Sequence, residues 1–355
     1  MPGTGDLEST APLLRRKLLA WYTANRRDLP WRRTSDPYAI WVSEIMLQQT
    51  RVAAVIERFQ AFVSRFPTVA SLARAPEKDV LALWSGLGYY RRARMMHKAA
   101  QFVAARDHAG LPRSAAELLE LPGIGPYTAA AIASIAYSEP VAVVDGNVER
   151  VLCRLMRWSA ESGAVAMKRK IENLAAQLLD PQHPGDFNQA LMELGATVCL
   201  PRGPLCNQCP LHQDCLTRGE HKTRRRPPMQ SREVAHALVL RVRPAAGKRR
   251  TQSREVLLEQ RPASLSVMPG LWQLPELRHC AVPEGELRMI VRHSIMQTNF
   301  TVHVRDVPRS GAAALTVRGG KRRWIPLHKT AAMPLTGLTR KILARVRPQP
   351  RALRP

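Results

Sequence analysis

The sequence predicts two domains, an all-α one followed by an α+β one, with a four-cysteine loop closing the first. Three observations carry this. From Pro12 to about Leu179 apolar residues recur at spacings of three and four, the period of a helix with one buried face. Beyond residue 232 the period changes to two, the mark of half-buried strands. Between the two regimes Cys199, Cys206, Cys209 and Cys215 crowd into one short segment, while Cys153 and Cys280 stand alone. A chain of 355 residues is long enough for two cores, and 45% hydrophobic content is that of a folded globular protein.

Residues 1–11 are small and polar and are expected to form a frayed tail. The helical domain is expected over 12–216. One of its stripes is Val52, Val55, Ile56, Phe59, Phe62 and Val63, and its loops are marked by Asp36-Pro37, Gly86-Leu87-Gly88, Gly110-Leu111-Pro112 and Pro122-Gly123-Ile124-Gly125-Pro126. Residues 217–231 are basic, proline-ended and without apolar periodicity, which reads as a linker able to lie on DNA. The second domain is expected over 232–346. Val234, His236, Leu238, Leu240 and Val242 alternate with the other face, as do Phe300, Val302 and Val304, and Leu338 to Val346 form a closing helix. Residues 347–355 are a basic tail.

Charge narrows the partner. The chain carries 54 Lys and Arg against 28 Asp and Glu, a net +26, which predicts a polyanion and foremost nucleic acid. Residues 1–215 hold 25 basic and 20 acidic side chains, whereas residues 216–355 hold 29 and 8, so the C-terminal part dominates the field. The start of the chain lacks the pattern of a secretory leader, and no run of 18 apolar residues occurs. The expectation is a soluble intracellular protein of the cytoplasm or nucleoid with no membrane partner.

The cysteine spacing, x6 then x2 then x5, suits compact loops around one metal centre rather than a disulfide framework. Four thiolates serve zinc or an iron-sulfur cluster. A single Cys-x2-Cys tilts toward the cluster without deciding it. Arg202 and Arg218 in the loop make it a candidate DNA-contact element.

Ser114 to Glu117 is a Ser-x-x-Glu capping box opening a short helix, which stops at Leu121-Pro122-Gly123-Ile124-Gly125-Pro126 before a second helix from Tyr127. This is a helix-hairpin-helix signature. Gly123 and Gly125 let the backbone turn tightly and present amides beside a helix start, a site for a phosphate oxygen that reads no sequence.

That hairpin, followed by Val144-Asp145-Gly146-Asn147-Val148 and then the four-Cys loop, resembles the endonuclease III superfamily of DNA glycosylases. Within it, Arg27-Asp28-Leu29-Pro30-Trp31-Arg32, the run from Asp36-Pro37-Tyr38 through Ser43-Glu44 to Leu47-Gln48-Gln49-Thr50, and Trp84-Ser85-Gly86-Leu87-Gly88-Tyr89-Tyr90 look like the MutY family. The resemblance covers roughly residues 12–216. It implies a [4Fe-4S] cluster on the four cysteines, double-stranded DNA with an adenine opposite 8-oxoguanine or guanine as substrate, and a monomer.

Breaking an adenine N-glycosidic bond needs a proton at the departing base and a carboxylate near a cationic sugar. By resemblance Glu44 protonates adenine N7 and later helps activate water, and Asp145 stabilises the cation or its covalent adduct. Read without the family, Glu44 is a buried residue after Ser43 and Asp145 a helix cap. Tyr127 stands where lyase-competent relatives carry a nucleophilic lysine. The resemblance therefore implies a monofunctional hydrolase, with Tyr127 hydrogen-bonding near Asp145 and Asn147 two residues on. Arg32 and Gln189 lie where the family contacts the base, with Trp31 and Leu47 walling its pocket. Tyr89 and Gln49 are expected to stack beside the orphan base, with Gln48 and Thr50 near the opposite strand.

Residues 232–346 resemble more weakly a lesion-recognition domain related to Nudix hydrolases, through Pro269-Gly270-Leu271-Trp272-Gln273-Leu274-Pro275 and Trp324-Ile325-Pro326. The acidic magnesium-binding helix of those hydrolases is missing, with only Glu276, Glu284 and Glu286 after Pro275, so pyrophosphatase activity is not expected. Where the family often carries Phe-Ser-His, this chain has His293-Ser294-Ile295, and only Ser294 matches. Three other readings compete: an endonuclease III-like glycosylase/lyase for oxidised pyrimidines, a non-enzymatic DNA-binding module, and a zinc-bound helical module. Tyr127 opposes the first, the pair Glu44 and Asp145 the second, and the visible colour of an iron-sulfur cluster would exclude the third.

Overall fold

The computed structural model describes residues 4–106, 110–158, 164–220, 228–243, 253–277, 285–295, 297–315 and 321–346. The chain divides into two compact units. The first comprises Met1–Arg74 and Met95–Arg225, and the second Ala75–Arg94 and Arg226–Pro355. Residues 75–94, expected inside the helical domain, group with the C-terminal unit, a correction to the uninterrupted 12–216 domain.

The first unit is helical throughout its described residues. Its elements are α1 (Thr4–Asn25), a 3-10 turn at Pro30–Arg32, α2 (Pro37–Leu47), α3 (Val52–Arg65) and α4 (Val69–Arg74). The second unit's α5 (Glu77–Leu83) intervenes. The first resumes at Met95, within α6 (Arg91–Ala104), and continues through α7 (Ala115–Leu118), α8 (Pro126–Tyr137), α9 (Gly146–Leu155), α10 (Ala164–Leu178) and α11 (Pro184–Thr197). The α1 boundary corrects the expected tail. Leu7 and Glu8 are good helix formers and carry the helix ahead of Pro12, while Leu14, Leu18 and Tyr22 anchor it in the core. That core joins α1, α9, α10 and α11 through Leu18, Leu152, Ile171 and Leu194. In α3 the expected stripe faces inward, with Val55, Phe59 and Phe62 buried. α8 is built largely of Ala, Ser and Thr, and seven consecutive residues from Thr128 to Ser134 are buried, so neighbours approach its backbone closely on several sides.

The second unit adds β1 (Gln230–Leu238), β2 (Leu240–Arg243), β3 (Ser253–Gln260), β4 (Trp272–Gln273), β5 (Glu276–Leu277), β6 (Glu286–Ile295), β7 (Thr298–Asp306), β8 (Arg322–Pro326) and α12 (Gly337–Val346). One sheet runs β5-β1-β7-β6, with β1 parallel to β7, and the other runs β2-β3-β4 with β8 also on β3. This is the expected α+β class, and α12 is the expected closing helix. The alternation from Val234 holds to Leu238 and then fails: the chain changes sheets at Val239, and Val242 ends 55% exposed. Ala237 and Val239 are buried too, because apolar clusters cover both faces there. Strand β1 begins inside the span expected as linker. The rest of that linker over 221–227, the tail 347–355, Cys280 and Glu284 lie outside the described residues. Among the described residues no helix is long and apolar enough to cross a membrane.

Candidate active site

The first carboxylate is set by α2. Asp36 caps that helix, accepting from the Tyr38 and Ala39 amides, and Pro37 at its first position needs no partner for an absent N–H. Every residue from Tyr38 to Met46 is buried, so Glu44 enters the interior with its helix. Among the described residues its hydrogen-bond donor is Tyr127 in the first turn of α8, whose hydroxyl donates to Glu44 Oε2 at 2.6 Å and lies 3.4 Å from Met192 Sδ. Burial pushes the Glu44 carboxyl up, and the Asp145 charge adds to that, while the Tyr127 bond and the Arg32 charge oppose it. Tyr127 is itself raised well above its ordinary value, by burial first and then by Glu44. The partner corrects the expectation of a bond near Asp145: α2 and α8 pack side by side, which brings the phenol to Glu44.

The second carboxylate is a helix cap as well as a site residue. Asp145 Oδ1 accepts from the Asn147 amide at 2.9 Å and the Val148 amide at 2.8 Å, and Oδ2 accepts from Asn147 Nδ2 at 2.8 Å. Asn147 Oδ1 in turn accepts from Arg150 Nη2 at 2.8 Å, and Arg150 Nε donates to the Cys199 carbonyl at 2.8 Å. The segment leading into Asp145 is held by Asn188, which accepts from the Val143 amide and donates to the Val141 carbonyl. Gly195 lets α11 come close: a Cβ there would lie 2.6 Å from the Asn147 Cβ.

The third wall is α11. Gln189, Met192, Glu193 and Ala196, spaced by three and four, face the cleft. Glu193 is buried and accepts from Arg27 Nε at 2.7 Å, Arg27 Nη2 at 2.6 Å and Arg32 Nη2 at 2.8 Å. Burial alone would push its carboxyl up, but the bonds from Arg27 and Arg32 outweigh that and hold it at about 2. Arg32 also donates to the Arg27 carbonyl, so the expected adenine contact is an arginine already engaged by protein.

These pieces enclose one cleft of about 660 Å³. It gathers Trp31, Arg32, Glu44, Leu47, Gln48, Gln49, Thr50, Gly125, Tyr127, Asp145, Asn147 and Gln189, whereas of the residues singled out from the sequence in this unit Gly123 and the four cysteines lie outside its lining. Gln48 donates to Thr128 Oγ1, and Gln49 takes a positive φ of 55° that non-glycine residues rarely adopt. Gly123 sits on the adjacent hairpin with φ 81°, where an added Cβ would fall 2.5 Å from the Met95 Cβ. The capping box forms as expected, Ser114 Oγ accepting from the Glu117 amide. Tyr89 and Ser294 belong to the other unit. Tyr89 is 47% exposed at φ 44°, and Ser294 is exposed near the end of β6, donating to Asn299 Oδ1 on β7. Sequence reading missed Glu193, Met192, Asn188 and Arg150. The spacing of three and four from Gln189 is the signal that could have found the first two.

The four cysteines line one small cavity beside Arg154. Cys209 is pushed up to about 11 by burial and by the neighbouring cysteine sulfurs, and Arg154 Nη1 donates to Cys199 Sγ at 3.3 Å. Four soft donors around a common cavity fit a thiolate-held centre.

Comparison with known proteins agrees with this geometry. Residues 42–177 match the family described as HhH-GPD superfamily base excision DNA repair protein. Among curated relatives the similarity narrows to adenine DNA glycosylases. The human one is 48% identical over 213 residues, 58% of this chain and 39% of that protein. The one from Buchnera aphidicola of Schizaphis graminum is 41% identical over 203 residues, 56% of this chain and 58% of that protein. The chain therefore spans about two to three fifths of these relatives' lengths. Among solved structures a thermostable thymine-DNA glycosylase aligns with TM-score 0.55 at 29% identity, covering 59% of this chain and 97% of that one.

Proposed function

We propose that the protein is a monofunctional adenine DNA glycosylase of base excision repair, acting on adenine opposite 8-oxoguanine or guanine in double-stranded DNA. The observation that carries the reading is the pair Glu44 and Asp145 in one cleft with opposite bonding. Glu44 is buried against a neutral phenol, and Asp145 is fixed by three N–H donors. Burial raises the Glu44 carboxyl and so favours the protonated form a general acid needs, which is given up as the departing base gains negative charge. With adenine turned out of the stack into the cleft, Glu44 gives its proton to N7, the N9–C1′ bond breaks, and the sugar is left cationic. Asp145 stabilises that charge. The Glu44 carboxylate then takes a proton from water adding at C1′, which restores the acid and leaves an abasic site plus adenine. Tyr127 offers no amine for a Schiff base, so strand scission is not expected without alkali.

Cys199, Cys206, Cys209 and Cys215 would hold a [4Fe-4S] cluster, which supplies a rigid anchor for its loop, and no step of base removal passes through it. Tyr89 and Gln49 are the wedge and orphan-base contacts, Gln48 and Thr50 face the opposite strand, and Gly123 and Gly125 bind backbone phosphate. The C-terminal unit is a Nudix-related lesion-recognition module in which Ser294 is a DNA contact. The protein works as a monomer inside the cell, where thiol clusters stay reduced.

Single-turnover release of adenine from duplexes with A opposite 8-oxoguanine, A opposite G, and thymine glycol tests the reading. Cleavage of the adenine strand only after alkali is expected. Cleavage of the thymine-glycol strand without alkali would overturn it in favour of the lyase reading.

A further inference from the structure

Residues 75–94 lie within the stretch that matches the glycosylase family, yet they are built into the C-terminal unit. Helix α5 runs into a turn in which Gly86, Gly88 and Tyr89 all take positive φ, at 106°, 71° and 44°. For tyrosine that backbone conformation is costly and persists only where surroundings hold it. The hold is visible. Tyr90 is buried, and its hydroxyl donates to the Leu335 carbonyl at 2.7 Å. Ser85 Oγ is completely buried, donates to the same carbonyl at 3.1 Å and accepts from Arg340 Nε on α12 at 2.7 Å. Arg94 Nη2 donates to the Pro269 carbonyl at 2.7 Å. Leu335 is itself fixed, because the residues on either side bond to Trp272 of β4. Within the turn the Arg92 guanidinium lies 5.5 Å from the ring centres of both Trp84 and Tyr89 and donates to the Leu87 and Gly88 carbonyls. The result is a half-exposed aromatic ring on a strained turn that Ser85, Tyr90 and Arg94 tie to the rest of the C-terminal unit.

We propose that Ser85, Tyr90 and Arg340 are positioning residues through which the C-terminal unit sets the DNA-probing conformation of Tyr89. The proposal rests on the reading of Tyr89 as the wedge. It gives the C-terminal unit a part in mispair recognition that needs no contact between its own strands and the lesion. Removing a fully buried bond from the grip lets the turn relax toward negative φ and moves the ring before DNA arrives.

The test uses the full-length, cluster-loaded protein and a non-hydrolysable adenine-analogue duplex carrying 2-aminopurine beside the base opposite the adenine. Stacking of Tyr89 there changes the 2-aminopurine fluorescence. Tyr90→Phe and Arg340→Ala are each expected to weaken binding roughly fivefold to tenfold, the scale of one buried hydrogen bond. They should diminish the fluorescence change and raise KM more than they lower kcat. Arg340→Lys, which keeps one donor, should restore part of the signal and guards against a variant that merely misfolds. Tyr89→Ala is the reference. If it abolishes the fluorescence change while Tyr90→Phe and Arg340→Ala leave it intact, the positioning proposal is overturned and the wedge reading stands. If Tyr89→Ala itself leaves the change intact, the wedge reading fails and the proposal fails with it.

Discussion

Two sides of one cleft bury a glutamate, and they tune it in opposite directions. On the α2 side Glu44 meets a single neutral donor, and burial pushes its carboxyl up. On the α11 side Glu193 meets two guanidinium groups, which hold it at about 2. Burial acts on both, so the partner decides the outcome: a phenol leaves a carboxyl able to carry a proton, whereas two arginines make a permanent anion. One wall of the cleft favours a protonated carboxyl and the other an ionised one.

The sharpest way to separate the two is to remove each charge in turn. Glu44→Gln should cut single-turnover adenine release by roughly 10²- to 10⁴-fold while mispair binding by fluorescence anisotropy is retained. Because a raised carboxyl costs folded-state stability once pH rises above its unfolded value of about 4.3, the same variant should be more stable than wild type at neutral pH. Glu193→Gln should do the reverse. Leaving Arg27 and Arg32 without their anion should cost about 3 kcal/mol in urea unfolding at neutral pH. Wild type should lose the Glu193 contribution as pH falls from about 4.3 toward about 2, and the variant should not.

Tyr127→Phe tests the single neutral bond. That bond favours the Glu44 carboxylate, so its loss should move the alkaline limb of the pH–rate profile upward. A downward shift would mean that the hydroxyl supports the protonated acid instead. The smallest effect is expected far from the cleft. Ser294 already donates to Asn299, so Ser294→Ala should change the preference for 8-oxoguanine over guanine only about threefold. A much larger change would show that the hydroxyl turns away from Asn299 to read the base.

What could be read before the structure was whatever is written locally. The α3 stripe, the Ser114 capping box, the strand period from Val234 to Leu238 and the closing helix were legible because each depends on residues a few positions apart. Glu44 and Asp145 were legible through the motifs around them. The choice of Tyr127's partner was not, since it is fixed by which faces of α2 and α8 meet across 83 positions of chain. Glu193 stands in no motif, and its partners lie 161 and 166 positions away. The allegiance of residues 75–94 depends on bonds spanning about 250 positions, such as Ser85 to Arg340, and no local pattern announces them.

Asp145 begins α9 with the same two oxygens the cleft uses. Few replacements are open at such a position. Asparagine keeps the short reach that satisfies the helix amides but surrenders the charge, glutamate keeps the charge but overshoots the amides, and alanine loses both. On the proposed function, folding and turnover screen the same atoms, so a chain that drifts here is penalised twice, and survivors of random mutagenesis should retain aspartate even under selection for folding alone more often than they retain Glu44.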